Sequence, residues 1–103
     1  MIYAMNLYDI VDEDMYKEYV KRSTSFLSSI KAGAIAAGTN PFREICGQAR
    51  SNFIIAKFHS VQDFEAMLRW QEDNDIKRLR ELSTDNYIWT LYENWDMAAW
   101  LAD

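Results

Sequence analysis

The amino-acid sequence predicts one α+β domain, in which a four-stranded antiparallel sheet carries two helices on one face. Three observations support this class. The chain has 103 residues, which suits one compact domain and leaves no room for a second. Half of the residues are hydrophobic, whereas there are only three glycines and one proline, so we expect one buried core and few long loops. Runs with the period of a strand alternate with runs of helical period in the order β-α-β-β-α-β.

The first two predicted elements are a strand and a helix. Residues 1–8 are rich in aromatic and β-branched side chains, which strands favour. Residues 12–30 change to apolar spacings of three and four, which places one apolar face on a helix. Asp12 is the predicted N-cap of this helix, and the two acidic residues after it suit the positive end of the helix dipole.

Two strands follow this helix. Residues 31–39 are mostly small, and we interpret them as a thin second strand that ends at the turn signal Asn-Pro-Phe. Residues 52–59 are apolar and form the third strand. Ser60 then caps the second helix, which an acidic stretch at 72–75 interrupts. There, Asp73 or Asn74 is expected to cap a new helical segment.

Residues 85–94 form the last predicted strand, and the chain ends in an apolar tail. The resulting order is the ferredoxin-like pattern, in which both helices pack on the same face of the sheet. We expect the ferredoxin-like domain to span residues 1–95 and a short amphipathic tail to span residues 96–103.

The third and fourth strands are apolar on both faces. One parity of the third strand carries Ile54, Ala56 and Phe58, and the other carries Phe53, Ile55, Lys57 and His59. The last strand likewise carries Tyr87, Trp89 and Leu91 against Ile88, Thr90 and Tyr92. Two helices cover only one face, so we expect a second copy to cover the other in a two-fold dimer. Alternatively, the tail folds over this face, but it is short for four strands.

Charge and composition disfavour several functional classes. The net charge is −5, and no stretch concentrates basic residues, which disfavours nucleic-acid binding. The N-terminal stretch lacks the features of a signal peptide, and no apolar run approaches the roughly 20 residues that span a bilayer. The single cysteine, Cys46, cannot form an internal disulfide. We therefore expect a cytoplasmic protein without nucleic-acid or membrane partners.

Four stretches carry a family resemblance: DEDMYKEYV, AGAIAAGTNPFREICG, FIIAKFHSVQDFEAML and IKRLREL. In this order and spacing they resemble the domain-of-unknown-function 1330 family of the dimeric α/β-barrel superfamily. The resemblance implies a ferredoxin-like protomer that pairs through its sheet to form a dimeric α/β barrel. It implies no reaction. The chain departs from the family pattern at Cys46, where a glutamate is common, and at Asp73, where a tyrosine is usual.

His59, the only histidine, allows two interpretations. In the first, it precedes the Ser60 cap and packs on Phe64 as a hydrophobic staple. In the second, it shares the parity of Ile55 and Lys57, so a group that titrates near pH 7 faces the space between two sheets. There it would act as a catalytic base for an acidic phenolic substrate, or as a haem ligand.

Four other side chains are candidates for ligand binding. Tyr16 and Tyr19 lie on the inner side of the first helix, where they either belong to the core or hydrogen-bond a ligand. Arg80 either binds a ligand carboxylate or forms ion pairs on the helix surface near Glu81. Trp89, together with Tyr87, lies beside the thin second strand, whose small side chains either leave room for a pocket or let the helices sit closer.

The sequence predicts no metal site and no cofactor. One histidine and one cysteine cannot form a convincing zinc site, and no glycine-rich phosphate loop is present. Cys46 is a candidate reactive thiol in a polar loop, but no neighbouring base is evident.

Together, these features favour a small homodimer that binds a small, mainly apolar molecule. One alternative is a cofactor-independent monooxygenase or cyclase acting on a phenolic or polyketide-like substrate, with His59, Trp89 or Tyr19 around one closed cavity. The other is a non-catalytic interaction protein whose tail docks on a partner.

Overall fold

The computed structural model describes residues 1–102. The elements are β1 (Ile2–Ile10), α1 (Glu13–Ser29), β2 (Gly33–Thr39), β3 (Asn52–Phe58), α2 (Val61–Asp73), α3 (Ile76–Ser83), β4 (Thr84–Glu93) and α4 (Met97–Ala102). The predicted order β-α-β-β-α-β is confirmed. The second helix is divided into α2 and α3, and the tail contains the short helix α4.

The four strands form one antiparallel sheet in the order β2-β3-β1-β4, as the ferredoxin-like prediction requires. The central strands β1 and β3 place Ala4 opposite Ala56 and Asn6 opposite Ile54. On the other side of β1, Trp89 lies opposite Asn6. Directly paired residues share one face of a sheet, so these side chains define the face on which the helices pack. We call it the helix face.

Local cap chemistry sets two of the helix starts. Asp12 accepts a hydrogen bond from the Met15 backbone N–H at 3.0 Å, and Ser60 accepts one from the Asp63 N–H at 3.1 Å. Both predicted caps are confirmed.

The start predicted for the third helix is wrong. Neither Asp73 nor Asn74 caps α3, which follows Asp75 in a left-handed conformation (φ 59°) without a side-chain cap. Instead, the Asn74 amide donates back to the Trp70 carbonyl at 2.9 Å and closes the end of α2. The asparagine therefore stabilises a helix end, because the carbonyls of the preceding turn need donors.

The core lies between the helix face and the helices. It contains Ala4, Ala56, Phe58, Phe64 and Met67, all buried. Phe58 and Phe64 meet edge-on with ring centroids 5.3 Å apart. Since consecutive strand residues point to opposite faces, Phe58 takes the place beside Phe64 that was predicted for His59.

No helix within residues 1–102 covers the other face of the sheet. From β1, β3 and β4, strand pairing places nine side chains on it: Tyr3, Met5, Leu7, Phe53, Ile55, Lys57, Ile88, Thr90 and Tyr92. All nine are half-buried or exposed. We call this surface the open face. The molecule is correspondingly flat, with extents of 47 × 35 × 16 Å. Leu91 lies on the helix face, in register with Ala4, and is 39% exposed.

The tail projects its apolar side chains into solvent. Asp96 caps α4 by accepting from the Ala99 N–H at 3.0 Å. Trp95 and Trp100 contact each other edge-on, yet both remain largely exposed, and Leu101 is 71% exposed. Over residues 1–102, no helix has both the length and the apolar character needed to cross a membrane.

Candidate functional site

A cavity of about 360 Å³ lies between α1 and the helix face of the sheet. Tyr16, Tyr19 and Ser23 line it from α1, and Ala56 and Trp89 line it from the sheet. Small-molecule pockets in proteins typically measure roughly 300–1,000 Å³. The cavity is therefore large enough for a small ligand.

Small side chains create this space. Ala34, Ala56 and Ala4 are paired in one row across β2, β3 and β1, and all three line the cavity. A methyl group is the only side-chain volume that each contributes, whereas protein interiors are normally close-packed. The thin second strand thus leaves room beneath α1. This is the first of the two interpretations given above for its small side chains.

A buried amide organises one wall of the cavity. Asn6 is 5% exposed, and its amide donates to the carbonyls of Ala4 and Ile54, at 3.2 Å each. Its carbonyl oxygen accepts from the Tyr87 hydroxyl at 2.5 Å. Both the nitrogen and the oxygen of the Asn6 amide are therefore hydrogen-bonded within the protein, as buried polar groups usually are, and Asn6 holds Tyr87 in place.

Four tyrosines cluster beside this amide. The Tyr8 and Tyr16 hydroxyls hydrogen-bond each other, and the Tyr8 and Tyr87 rings stack with centroids 5.0 Å apart. Burial raises the pKa of Tyr16 and of Tyr87 far above the ordinary value for a phenol. These hydroxyls are neutral at physiological pH, so they donate and accept hydrogen bonds rather than act as bases.

Tyr19 has a different setting. Burial raises its pKa, while the Arg80 guanidinium, the hydrogen bond from Gln71 and the nearby Ser23 side chain partly oppose that shift. The Gln71 amide donates to the Tyr19 oxygen at 3.2 Å. The Tyr19 hydroxyl is therefore an acceptor toward the core, and its own proton is left available to donate.

Arg80 lies over the aromatic wall of the site. Its guanidinium carbon is 4.6 Å from the ring centroid of Trp89 and 6.0 Å from that of Tyr87, which are cation–π distances. Glu81 pairs with Lys77 at 3.8 Å, so the surface ion pair considered for Arg80 does not form. Arg80 forms no salt bridge with any described residue, and its Nη1 is buried without a hydrogen-bond partner.

The structure brings together four of the five predicted site residues. Tyr16, Tyr19 and Trp89 line the cavity, and Arg80 packs on the Trp89 ring. His59 is exposed at the end of β3, with the parity of the open face, and does not line the cavity.

Sequence reasoning missed two residues of the site. Asn6 and Ser23 both line the cavity, as does Tyr87, which was expected beside the thin second strand. Asn6 and Ser23 carried a usable signal, because each is a polar residue within an otherwise apolar face of a strand or helix.

The part of the chain that the structure describes contains no group of three or more His, Cys, Asp or Glu side chains placed to hold a metal ion. Cys46 is an exposed free thiol in the loop between β2 and β3.

Solved structures that share this fold include the following three. The first is a protein of unknown function from Rhodopseudomonas palustris, with a TM-score of 0.80, 15% identity, and coverage of 92% of this chain and 82% of that one. A hypothetical protein from Arabidopsis thaliana has a TM-score of 0.62, 14% identity, and coverage of 92% and 88%. A protein from Agrobacterium tumefaciens has a TM-score of 0.60, 12% identity, and coverage of 93% and 95%. At such identities these likenesses concern the fold alone.

Comparisons of sequence point to a family without an assigned activity. No curated protein matches the chain. The family described as "Domain of unknown function (DUF1330)" matches residues 1–92, which is nearly the whole chain. The four stretches whose order suggested this family all lie within the match, and the observed strand order fits the fold that the resemblance implied. The chain therefore belongs to the DUF1330 family.

Proposed function

We propose that the protein binds a small, mainly apolar molecule in the cavity beneath α1. The main supporting observation is that two residues of the mainly apolar lining, Ser23 and Trp89, each have a buried polar atom, Ser23 Oγ and Trp89 Nε1, without a hydrogen-bond partner within residues 1–102. Leaving a buried polar atom unpaired costs about 1–3 kcal/mol. A bound molecule that supplies the missing partners offsets this cost.

We place binding before catalysis because the described lining residues include no group that titrates near neutral pH. The tyrosines Tyr16, Tyr19 and Tyr87 are shifted away from neutrality by burial. His59, the only histidine, lies outside the lining. The monooxygenase or cyclase alternative needs an acid–base group at the reacting atoms, and binding does not.

The proposal includes a homodimer formed through the open face. Apolar side chains such as Met5, Phe53 and Ile55 lie in the centre of that face, and monomers rarely leave a contiguous apolar surface of this kind in water. A second copy presents the same surface, which satisfies the self-complementarity of a two-fold interface. The residues of the tail, 96–103, then dock on the partner. The exposed, unpaired Cys46 suits a reducing compartment such as the cytoplasm.

Native mass spectrometry of protein purified from its host tests the binding proposal. Val20 lines the cavity and is 38% exposed, so Val20→Trp should block its rim. Val61 is similarly exposed, at 42%, but lies at the start of α2 outside the lining, so Val61→Trp is the matched control. We expect a retained mass in the wild type and in Val61→Trp, and its loss in Val20→Trp. Equal retention in both variants would place the ligand elsewhere.

A further inference from the structure

The polar groups around the cavity differ in whether the protein already satisfies them. Tyr87 donates its proton to Asn6, and Asn6 donates both of its amide hydrogen bonds to strand carbonyls. These groups are therefore committed to the protein. A ligand would have to compete with formed hydrogen bonds to engage them, and such an exchange yields little net affinity.

Three other groups keep donor capacity. Ser23 is only 7% exposed, and its side chain lies near enough to Tyr19 to help lower the pKa of that phenol, but its hydroxyl has no hydrogen-bond partner in the described chain. The Trp89 indole N–H, which can only donate, is also buried and unpaired. Tyr19 accepts from Gln71 through its oxygen, and so its hydroxyl proton is still available. All three side chains line the cavity. Their common need is an acceptor.

The charge around the cavity also favours a ligand that carries an acceptor. No carboxylate side chain is found among the lining residues that the structure describes. Arg80 supplies a positive charge beside Trp89, 4.6 Å from its ring centroid, and forms no ion pair within residues 1–102. In an interior of low dielectric constant, this charge favours a negative or electron-rich group and disfavours an ammonium group.

The remaining walls are apolar. Leu27, Ala32, Ile54, Phe58 and Met67 contribute only hydrocarbon, aromatic or thioether groups. They suit the body of a hydrocarbon chain or ring, because burying such a surface is favourable by about 25 cal/mol per Å².

We infer that, if the cavity is a binding site as proposed above, its ligand is an apolar molecule that ends in a hydrogen-bond acceptor, a carboxylate or a ketone carbonyl. The acceptor group meets Ser23, Trp89 and Tyr19, and the apolar body lies along the alanine row of the sheet. Amines and apolar cations are the class that this site excludes.

Three eight-carbon probes at neutral pH test this inference: octanoate, 2-octanone and octylamine. Affinities are measured by calorimetry, and binding in the cavity is verified by shifts of the Ala32 and Ala34 methyl resonances that Val20→Trp abolishes. We expect octanoate to bind at least about tenfold more tightly than octylamine, since only octanoate can accept hydrogen bonds. If 2-octanone binds as tightly as octanoate, the site recognises a neutral carbonyl group. If octanoate is much tighter, the Arg80 charge contributes.

Matched substitutions assign the contacts. Ser23→Ala and Trp89→Phe should each weaken octanoate about fivefold to tenfold and leave octylamine unchanged. Ser29→Ala and Trp70→Phe are the controls, because both residues lie outside the lining and Trp70 stacks on Phe26 instead. Alanine has a higher helix propensity than serine, so Ser23→Ala should not destabilise α1. A loss of octanoate affinity in this variant would therefore not be caused by a damaged fold.

The outcomes separate this inference from the proposal on which it rests. Octylamine binding in the cavity as tightly as octanoate, or unchanged octanoate affinity in both Ser23→Ala and Trp89→Phe, would overturn the acceptor inference while leaving a cavity that binds apolar molecules. If none of the three probes shifts the alanine methyl resonances, the cavity is not a binding site and both conclusions fail.

Discussion

The two faces of the sheet are built from the same four strands but differ in whether their side chains have packing and hydrogen-bond partners within the chain. On the helix face, aromatic residues pack edge-on and buried polar groups such as Asn6 are hydrogen-bonded. On the open face, Met5, Phe53 and Ile55 have no helix against them. The comparison teaches that apolar content alone does not define a core. The helix face is packed by the helices of the same chain except at its cavity, whereas no helix within residues 1–102 packs on the open face.

The largest effect should come from placing a charge on the open face. Ile55→Asp puts a carboxylate in the middle of the proposed dimer interface, where it would be buried without a partner, so we expect a monomer or an aggregate. Light scattering at micromolar concentration measures the mass. Val11→Asp is the control, because Val11 is exposed at the junction of β1 and α1. A well-folded wild-type monomer at that concentration would contradict the dimer.

Alkaline pH should destabilise the packing between the helices and the helix face. The folded-state pKa values of Tyr16 and Tyr87 are raised, mainly by burial, so the folded protein keeps protons that the unfolded chain loses above about pH 10. Stability is therefore full below that pH and falls as the pH rises further. Urea unfolding at several pH values from 8 to 11.5 measures this slope. Tyr87→Phe should make it shallower, and an unchanged slope would show that Tyr87 ionises while folded.

Deleting residues 96–103 tests whether the tail docks on the partner. Losing Trp100 and Leu101 from a docked position should cost about 1–3 kcal/mol for each large side chain, which lowers the melting temperature by several degrees in a domain of this size. Differential scanning calorimetry measures the shift. The deletion should have no effect in a monomeric Ile55→Asp background. An unchanged melting curve in the wild-type background would count against docking.

The smallest effects concern the end of β3. Ser60→Ala removes the bond that Ser60 Oγ accepts from the Asp63 N–H, and should lower the free energy of unfolding by about 1 kcal/mol. His59→Phe should be nearly neutral in stability, because His59 is exposed, and it should leave ligand retention unchanged. Denaturant titration and native mass spectrometry measure the two quantities. Loss of the retained ligand in His59→Phe, with the dimer intact, would restore a functional role for the histidine.

The sequence by itself determined the order of the elements and the caps at Asp12 and Ser60. These features depend on periodicity and on hydrogen bonds within a few residues, so a linear pattern contains the information. The same locality accounts for the wrong start of α3. The Asn74 side chain can cap the start of one helix or the end of another, and which of these it does depends on the position of the last turn of α2.

Only the tertiary structure decided the site. It places Ser23 of α1 and Trp89 of β4 in the lining of one cavity, sets Arg80 over the Trp89 ring, and leaves His59 outside. Alternation along a strand shows which side chains of that strand share a face. It does not show how the faces of two strands align or which face the helices cover, so from the sequence His59 and Trp89 could share a cavity or lie on opposite faces. That choice is made by packing between elements that are distant in sequence, and it decides which polar atoms remain without a partner.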